Sequence, residues 1–254
     1  AGVMLVETGE SVAFNGAQLF PMQSVYKLPI AMAVLHQVDG GALKLEQKIS
    51  VEKSDFVASG QRSPIRDAHP RGVEMSVGEL LDFMVKESDG TACDVLLRIL
   101  GGPEKVTEYL RESGLPDINV VSYEKELGRD VKVQYQNSAT PESMLRLLRM
   151  LQEGRGMSAS SRSLLLEIMT KSVPGPRRIK GLLPADASVA HKTGTSGTAN
   201  GLTSATNDVG LITLPDGRHL AIAVFVSDTK TDEATREGVI AKIARASWDC
   251  WTGQ

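Results

Sequence analysis

Four places in the chain set a lysine three residues after a serine: Ser24/Lys27, Ser50/Lys53, Ser122/Lys125 and Ser227/Lys230. Residues i and i+3 share one face of a helix, so an amine there can take the proton of the hydroxyl and leave a nucleophile. "SVEKSD" and "SDTKTD" are polar, surface-like stretches, and there, as at Ser122/Lys125, the spacing reads as accident. Ser24/Lys27 differs. From Leu28 to Leu35 the segment carries neither a charge nor a polar side chain, and Asp39-Gly40-Gly41 supplies a stop. A helix apolar all round belongs in a core, so a lysine at its mouth needs a solvent route or a function. Burial and the positive end of the helix dipole both work against an ammonium there. That makes Lys27 a credible base and Ser24 a credible nucleophile.

Two further elements carry chemistry. "ESDG" (Glu87–Gly90) ends one helical pattern and precedes another, "TACDVLLRIL", which puts Ser88 on a turn between buried helices. "KTG" (Lys192–Gly194) occurs once, on a strand expected to border the helical part; the alternative is an edge strand with a solubilising lysine. Other chemistries lack their residues. No serine lies in G-x-S-x-G, the lysine of "HKTGTSG" precedes its glycines instead of following them, and the four histidines form no HExxH pair. Cys93 and Cys250 are too few for a metal site and are read as buried, unpaired thiols. A net charge of −3 gives no basic excess for nucleic acid, and no apolar run approaches a membrane span.

The elements that must position these groups follow from pattern. "GVMLVET" and "SVAFNG" read as strands; because the chain opens directly on one, no signal peptide is expected and the start is either mature or trimmed. Ser76 and Glu79 form a capping box, Pro103 opens a helix after Gly102, and Thr140 and Pro141 look like N-cap and N1. After about residue 180, "SVAHKTGTS", "LTSATNDVGLITL" and "HLAIAVFVSD" read as strands, the last two joined by a turn at Pro215-Asp216-Gly217. A closing helix runs from near Thr231 to about Trp251. The predicted fold is α/β (α+β): a sheet domain from residues 1–20 and 171–254, and an all-helical domain, 21–170, inserted between them.

Together, S-x-x-K, S-D-x and K-T-G, in this order, resemble the active-site set of class A serine β-lactamases. The resemblance covers nearly the whole chain, including the loop "SYEKELGRDVKVQYQNSATP" with Glu124 at the deacylating-glutamate position and Asn137 closing it. It implies an antiparallel five-stranded sheet flanked by helices, with the site between sheet and inserted domain. Ser24 would attack the β-lactam carbonyl, with the backbone N–H groups of Ser24 and Thr195 as oxyanion hole. Lys27, or Glu124 through a water, would take the Ser24 proton, and Ser88 would pass one to the leaving nitrogen. Lys192 would hold Ser88 in an electropositive site, and Lys192, Thr193, Gly194, Thr195 and Ser196 would line the substrate. Glu124 would activate water for deacylation. The resemblance further implies no metal and no cofactor, a small β-lactam substrate, no nucleic-acid or membrane partner, a monomer, and a periplasmic or secreted location. A DD-peptidase or esterase on the same fold, or a covalent β-lactam receptor without turnover, are the alternatives; Glu124 argues for turnover.

The chain also departs from the family pattern. Gly90 stands where an asparagine usually binds the substrate, and Gly128 where one often shares the hydrolytic water. Ser122 and Asn137 replace an arginine–aspartate brace, and Asp94 stands at a usual asparagine, where it could pair with Asn137. Arg178 is the expected guanidinium for the substrate carboxylate, with little bearing on stability. The alternative is a solvated residue in the cluster Arg177-Arg178-Lys180. Lys125 follows Glu124 where many members have proline and a cis bond. A non-proline cis bond costs about 2.5–4 kcal/mol, so a trans bond is expected, with Asp94 accepting from Asn137 or from loop N–H groups. The altered loop and "TSG" (Thr195–Gly197) resemble the divergent extended-spectrum branch and imply a wider mouth.

Overall fold

The computed structural model describes residues 1–127 and 132–253. The chain enters through β1 (Gly2–Leu5) and β2 (Ser11–Ala13); β3 (Phe20–Pro21) then leads through the turn Gln23–Tyr26 into α1 (Lys27–Asp39). Next come β4 (Lys48–Val51), α2 (Pro64–Ala68), β5 (Val73–Ser76), α3 (Val77–Lys86), α4 (Gly90–Leu100) and α5 (Pro103–Glu112). The loop region holds β6 (Ile118–Asn119), α6 (Glu124–Leu127) and β7 (Ser138–Ala139), followed by α7 (Pro141–Glu153) and α8 (Ala159–Thr170). The chain closes with β8 (Val189–Thr195), β9 (Thr198–Ala199), β10 (Leu202–Thr213), β11 (His219–Thr229) and α9 (Glu233–Thr252).

Side-chain caps set many of these starts. Ser76 and Glu79 form the reciprocal box at α3, Asp89 caps α4, Thr140 caps α7 and Asp232 caps α9. Each such cap contributes about 1 kcal/mol by satisfying an orphan N–H.

Both chain ends complete one antiparallel sheet, in the order β2-β1-β11-β10-β8, with the two-residue β9 added beside β10. Alternation along β11 shows why it is covered twice. Ala221, Ala223 and Phe225 join the core shared with the helices, whereas Leu220, Ile222 and Val224 join a second core beneath α9. The larger core runs without a break from that sheet face through α7 and α8 to α1.

Residues 21–170 are not all helical. β3, β7 and β6 form a small sheet and β4 and β5 a hairpin-like pair, because the segments flanking α1 and the loop need backbone partners. This small sheet ties the entrance of α1 to the loop's end, and Met22 N–H donates to the Asn137 carbonyl at 2.9 Å.

α1 is the pivot. Every residue from Lys27 to Val34 is buried, as is Leu35. Fully burying a Leu, Ile, Val or Met side chain stabilises by about 1.5–3 kcal/mol, so the mouth of this helix is a rigid platform. Cys93 is buried in α4 as expected, but Cys250 is exposed; both are free thiols. The correction follows from helix phase, since Trp248 faces the sheet and a residue two positions on lies about 200° around the helix. Among the described residues no helix is long and apolar enough to cross a membrane.

Candidate active site

Ser24 sits on the turn that runs into α1, and Lys27 Nζ donates to its Oγ at 3.0 Å. The same amine donates to the Ser88 carbonyl at 2.9 Å and stands 3.3 Å from Glu124 Oε2, with only 1% of its side chain exposed. Hydroxyl, amine and carboxylate thus form one line. The Glu124 side chain is 14% exposed and lines a cleft of about 400 Å³ together with Ser24, Ser88, Thr193, Thr195 and Ser196.

Ser88 occupies the turn between α3 and α4 with φ of 59°, a left-handed conformation uncommon for serine. That geometry aims its carbonyl at Lys27 while its Oγ accepts from Lys192 Nζ at 2.9 Å. Lys192 lies on the edge strand β8 yet is fully buried, which excludes the solubilising alternative. Burial, then the nearby positive charge of Lys27, hold its amine well below the ordinary lysine range. Gly194 explains how β8 approaches the turn that carries Ser24. A Cβ there would collide with the Met22 carbonyl oxygen, so only glycine lets Thr195 stand beside Ser24.

Comparison with known proteins then decides the kinship. A family model described as a β-lactamase enzyme family matches residues 1–251. The β-lactamase VEB-1 of Pseudomonas aeruginosa is 39% identical over 252 residues, covering 98% of this chain and 84% of that protein. The chain is a class A β-lactamase. The extended-spectrum β-lactamase PER-1 of Pseudomonas aeruginosa is 42% identical over 241 residues, covering 94% of this chain and 78% of that one. Among solved structures, a β-lactamase from Chitinophaga pinensis superposes with a TM-score of 0.96 at 46% identity, covering 98% of this chain and 92% of that one. Hydrolysis of β-lactams is therefore this enzyme's activity.

Within this β-lactamase Asp94 anchors the loop through backbone N–H groups, the second of its two expected arrangements. Asp94 does not meet Asn137. Its carboxylate accepts from Glu124 N–H at 2.6 Å and Lys125 N–H at 3.1 Å, while Asn137 accepts from Val121 and Ser122 N–H and donates to the Ser122 carbonyl. Asn137 closes the loop base and Asp94 holds its acidic tip. Burial pushes the Asp94 carboxyl up to about 7 despite these donors. No described peptide is cis, so the Glu124–Lys125 bond is trans. Gly128 lies outside the described residues.

Arg178 needs correction. It is 3% exposed, neither solvated nor a cleft-lining guanidinium. Its Nε pairs with Glu237 at 3.2 Å, its Nη1 donates to the Asn207 and Gly194 carbonyls, and its Nη2 donates to Thr195 Oγ1 at 2.8 Å. The pull of Glu237 and two backbone carbonyls turns it inward, so it reaches the cleft only through Thr195. Arg236 is also held inside, with Nε on Thr206 Oγ1 at 2.9 Å.

Gly90 is buried at the start of α4 and, having no side chain, cannot make the contact of the usual asparagine. Two further residues escaped the sequence. Gln61 donates to the Glu124 carbonyl, and Tyr26 donates its phenol to Glu124 Oε2 at 2.8 Å. Nothing local marks Gln61, but Tyr26 stands inside the S-x-x-K segment as its one aromatic with a polar head. Burial, then the thiol of Cys93, push that phenol well above its ordinary range.

Proposed function

We propose that this β-lactamase opens the ring through an acyl-enzyme on Ser24 and releases it with water activated by Glu124. Ser24 Oγ bonds to the lactam carbonyl carbon as the C–N bond breaks. Glu124 takes the Ser24 proton by way of Lys27, Ser88 gives its hydroxyl proton to the departing nitrogen, and the proton on Glu124 returns by way of Lys27 to restore Ser88, which leaves Glu124 ionised. The developing oxyanion is received by the backbone N–H groups of Ser24 and Thr195. Water then attacks the ester carbon, Glu124 takes its proton, and as the C–Oγ bond breaks that proton passes by way of Lys27 to Oγ, restoring Ser24 and the ionised Glu124.

The observation that carries this reading is the unbroken line from Ser24 Oγ through Lys27 Nζ to a cleft-lining Glu124, at 3.0 and 3.3 Å. A receptor or peptidase site needs the first two members only; the third is what a hydrolase adds. Lys192, Thr193, Thr195 and Ser196 form the binding edge for the substrate carboxylate, and Arg178 acts on it by holding the Thr195 hydroxyl. Accepting from Arg178, that hydroxyl keeps its own proton free to donate to the substrate. The extended-spectrum description of PER-1, and the open cleft beside Ser196, support bulky cephalosporins as substrates. A periplasmic or secreted location and a monomeric state complete the reading. A chromogenic cephalosporin tests it: sustained turnover, lost in Ser24→Ala, supports the hydrolase, and a single stoichiometric burst supports the receptor.

A further inference from the structure

Glu124 stands on the short helix α6, and its backbone is tied by Asp94 and Gln61. Those bonds fix the chain but not the side-chain torsions that aim the carboxylate. That aim needs a reference on a rigid element, and Tyr26 is one. It is 0% exposed, sits on the turn opening α1, and its hydroxyl lies 2.8 Å from Glu124 Oε2. Cys93 Sγ lies 3.2 Å from the same hydroxyl on its other side.

Donor counting fixes the protons. An ionised carboxylate only accepts, so the phenol proton points at Glu124; the Cys93 thiol then donates to the phenol oxygen. Lys27 Nζ approaches the same carboxylate oxygen, Oε2, at 3.3 Å. Among the described residues no donor reaches Oε1. The two oxygens are therefore unequal. Oε2 is held by two buried donors and is the weaker base, and Oε1 is free to accept.

We propose that Tyr26 is a positioning residue for Glu124: its hydroxyl, oriented by Cys93, pins Oε2 and reserves Oε1 to take the proton of the attacking water. The inference rests on the reading of Glu124 as the deacylating base. No proton is exchanged at Tyr26. Its burial keeps the phenol protonated throughout the working range, so it acts as a fixed donor.

Tyr26→Phe removes one oxygen and keeps the ring in its core site. Rapid-quench mass spectrometry on this variant should show deacylation falling about tenfold, the size expected for one hydrogen bond to a charged group. Acylation should fall less, so the acyl-enzyme accumulates. The acid limb of kcat should move up by about one pH unit, because an ionised carboxylate has lost a donor. Cys93→Ala should shift the same limb in the same direction by less, and no shift there would remove Cys93 from the arrangement. Equal losses in both steps with an unmoved limb, or parent-like kinetics, would overturn the role of Tyr26. Glu124→Gln is the parallel control. If it traps the acyl-enzyme while Tyr26→Phe behaves as the parent, only the Tyr26 assignment fails; if it traps nothing, the reading of Glu124 itself fails.

Discussion

Glu124 Cγ lies 2.8 Å from the point where a Cβ on Gly90 would stand. Val57 Cγ1 at 3.2 Å and the Arg62 carbonyl oxygen at 3.3 Å close the same space. The glycine at this position is therefore the partner of the glutamate's placement: an asparagine side chain there would occupy the volume that Glu124 fills.

It follows that Gly90→Asn should damage this enzyme. The amide must displace either Glu124 or the segment carrying Val57, and a misplacement of about 1 Å at a reacting group costs on the order of 100-fold in rate. Steady-state kinetics with a good penicillin should show kcat falling far more than acylation. Parent-like or improved kcat would contradict the packing argument.

Arg178→Ala should lower both stability and kcat/KM. The buried Glu237 carboxylate loses one of its guanidinium partners, Arg177 remaining on it, and Thr195 loses the donor that orients its hydroxyl. Removing one partner of a buried pair costs about 3–5 kcal/mol when nothing replaces it, so thermal melting should show a clear drop. Arg178→Lys keeps the charge but not the fork, and should recover melting temperature better than kcat/KM. An unchanged melting temperature would return Arg178 to the solvated alternative.

Asp94 gives the stability a pH dependence whose sign can be worked out. Its folded carboxyl titrates at about 7, against 3.8 for the ordinary group, so between these values the folded state binds more protons than the unfolded chain. Stability from this residue is then full below about pH 4 and declines as pH rises towards 7, by at most about 1.4 kcal/mol per unit. Asp94→Asn cannot titrate. Its melting temperature relative to the parent should rise between pH 5 and about pH 7 and level off above, on top of a constant loss from weaker anchoring of the loop. Parallel melting curves across that range would show that Asp94 is already ionised at its low end.

Much of the site was legible because its signals are local. The apolar run after Lys27, the turn at Ser88, the single K-T-G strand and the caps of α3 and α7 are each readable within a dozen residues. What escaped depends on contacts between distant segments. Tyr26 meets Glu124 across 98 positions, and Arg178 meets Glu237 across 59, so neither the phenol's donor role nor the arginine's burial has a local trace. Asp94 was correctly expected to accept hydrogen bonds from loop N–H groups, but the choice between those and Asn137 needed the path of the loop. The exposure of Cys250 is a different kind of miss: the phase of α9, set by Trp248 and Ala244, already carried it.

In the proposed mechanism Glu124 releases what Ser24 binds. The most direct test is the intact mass of Glu124→Gln after mixing with a good penicillin, with the adduct mapped by proteolysis. The expected result is a long-lived species heavier by one whole substrate, carried on the peptide that contains Ser24 and absent from Ser24→Ala. Turnover by Glu124→Gln at the parent rate with no adduct, or an adduct on another residue, would contradict it.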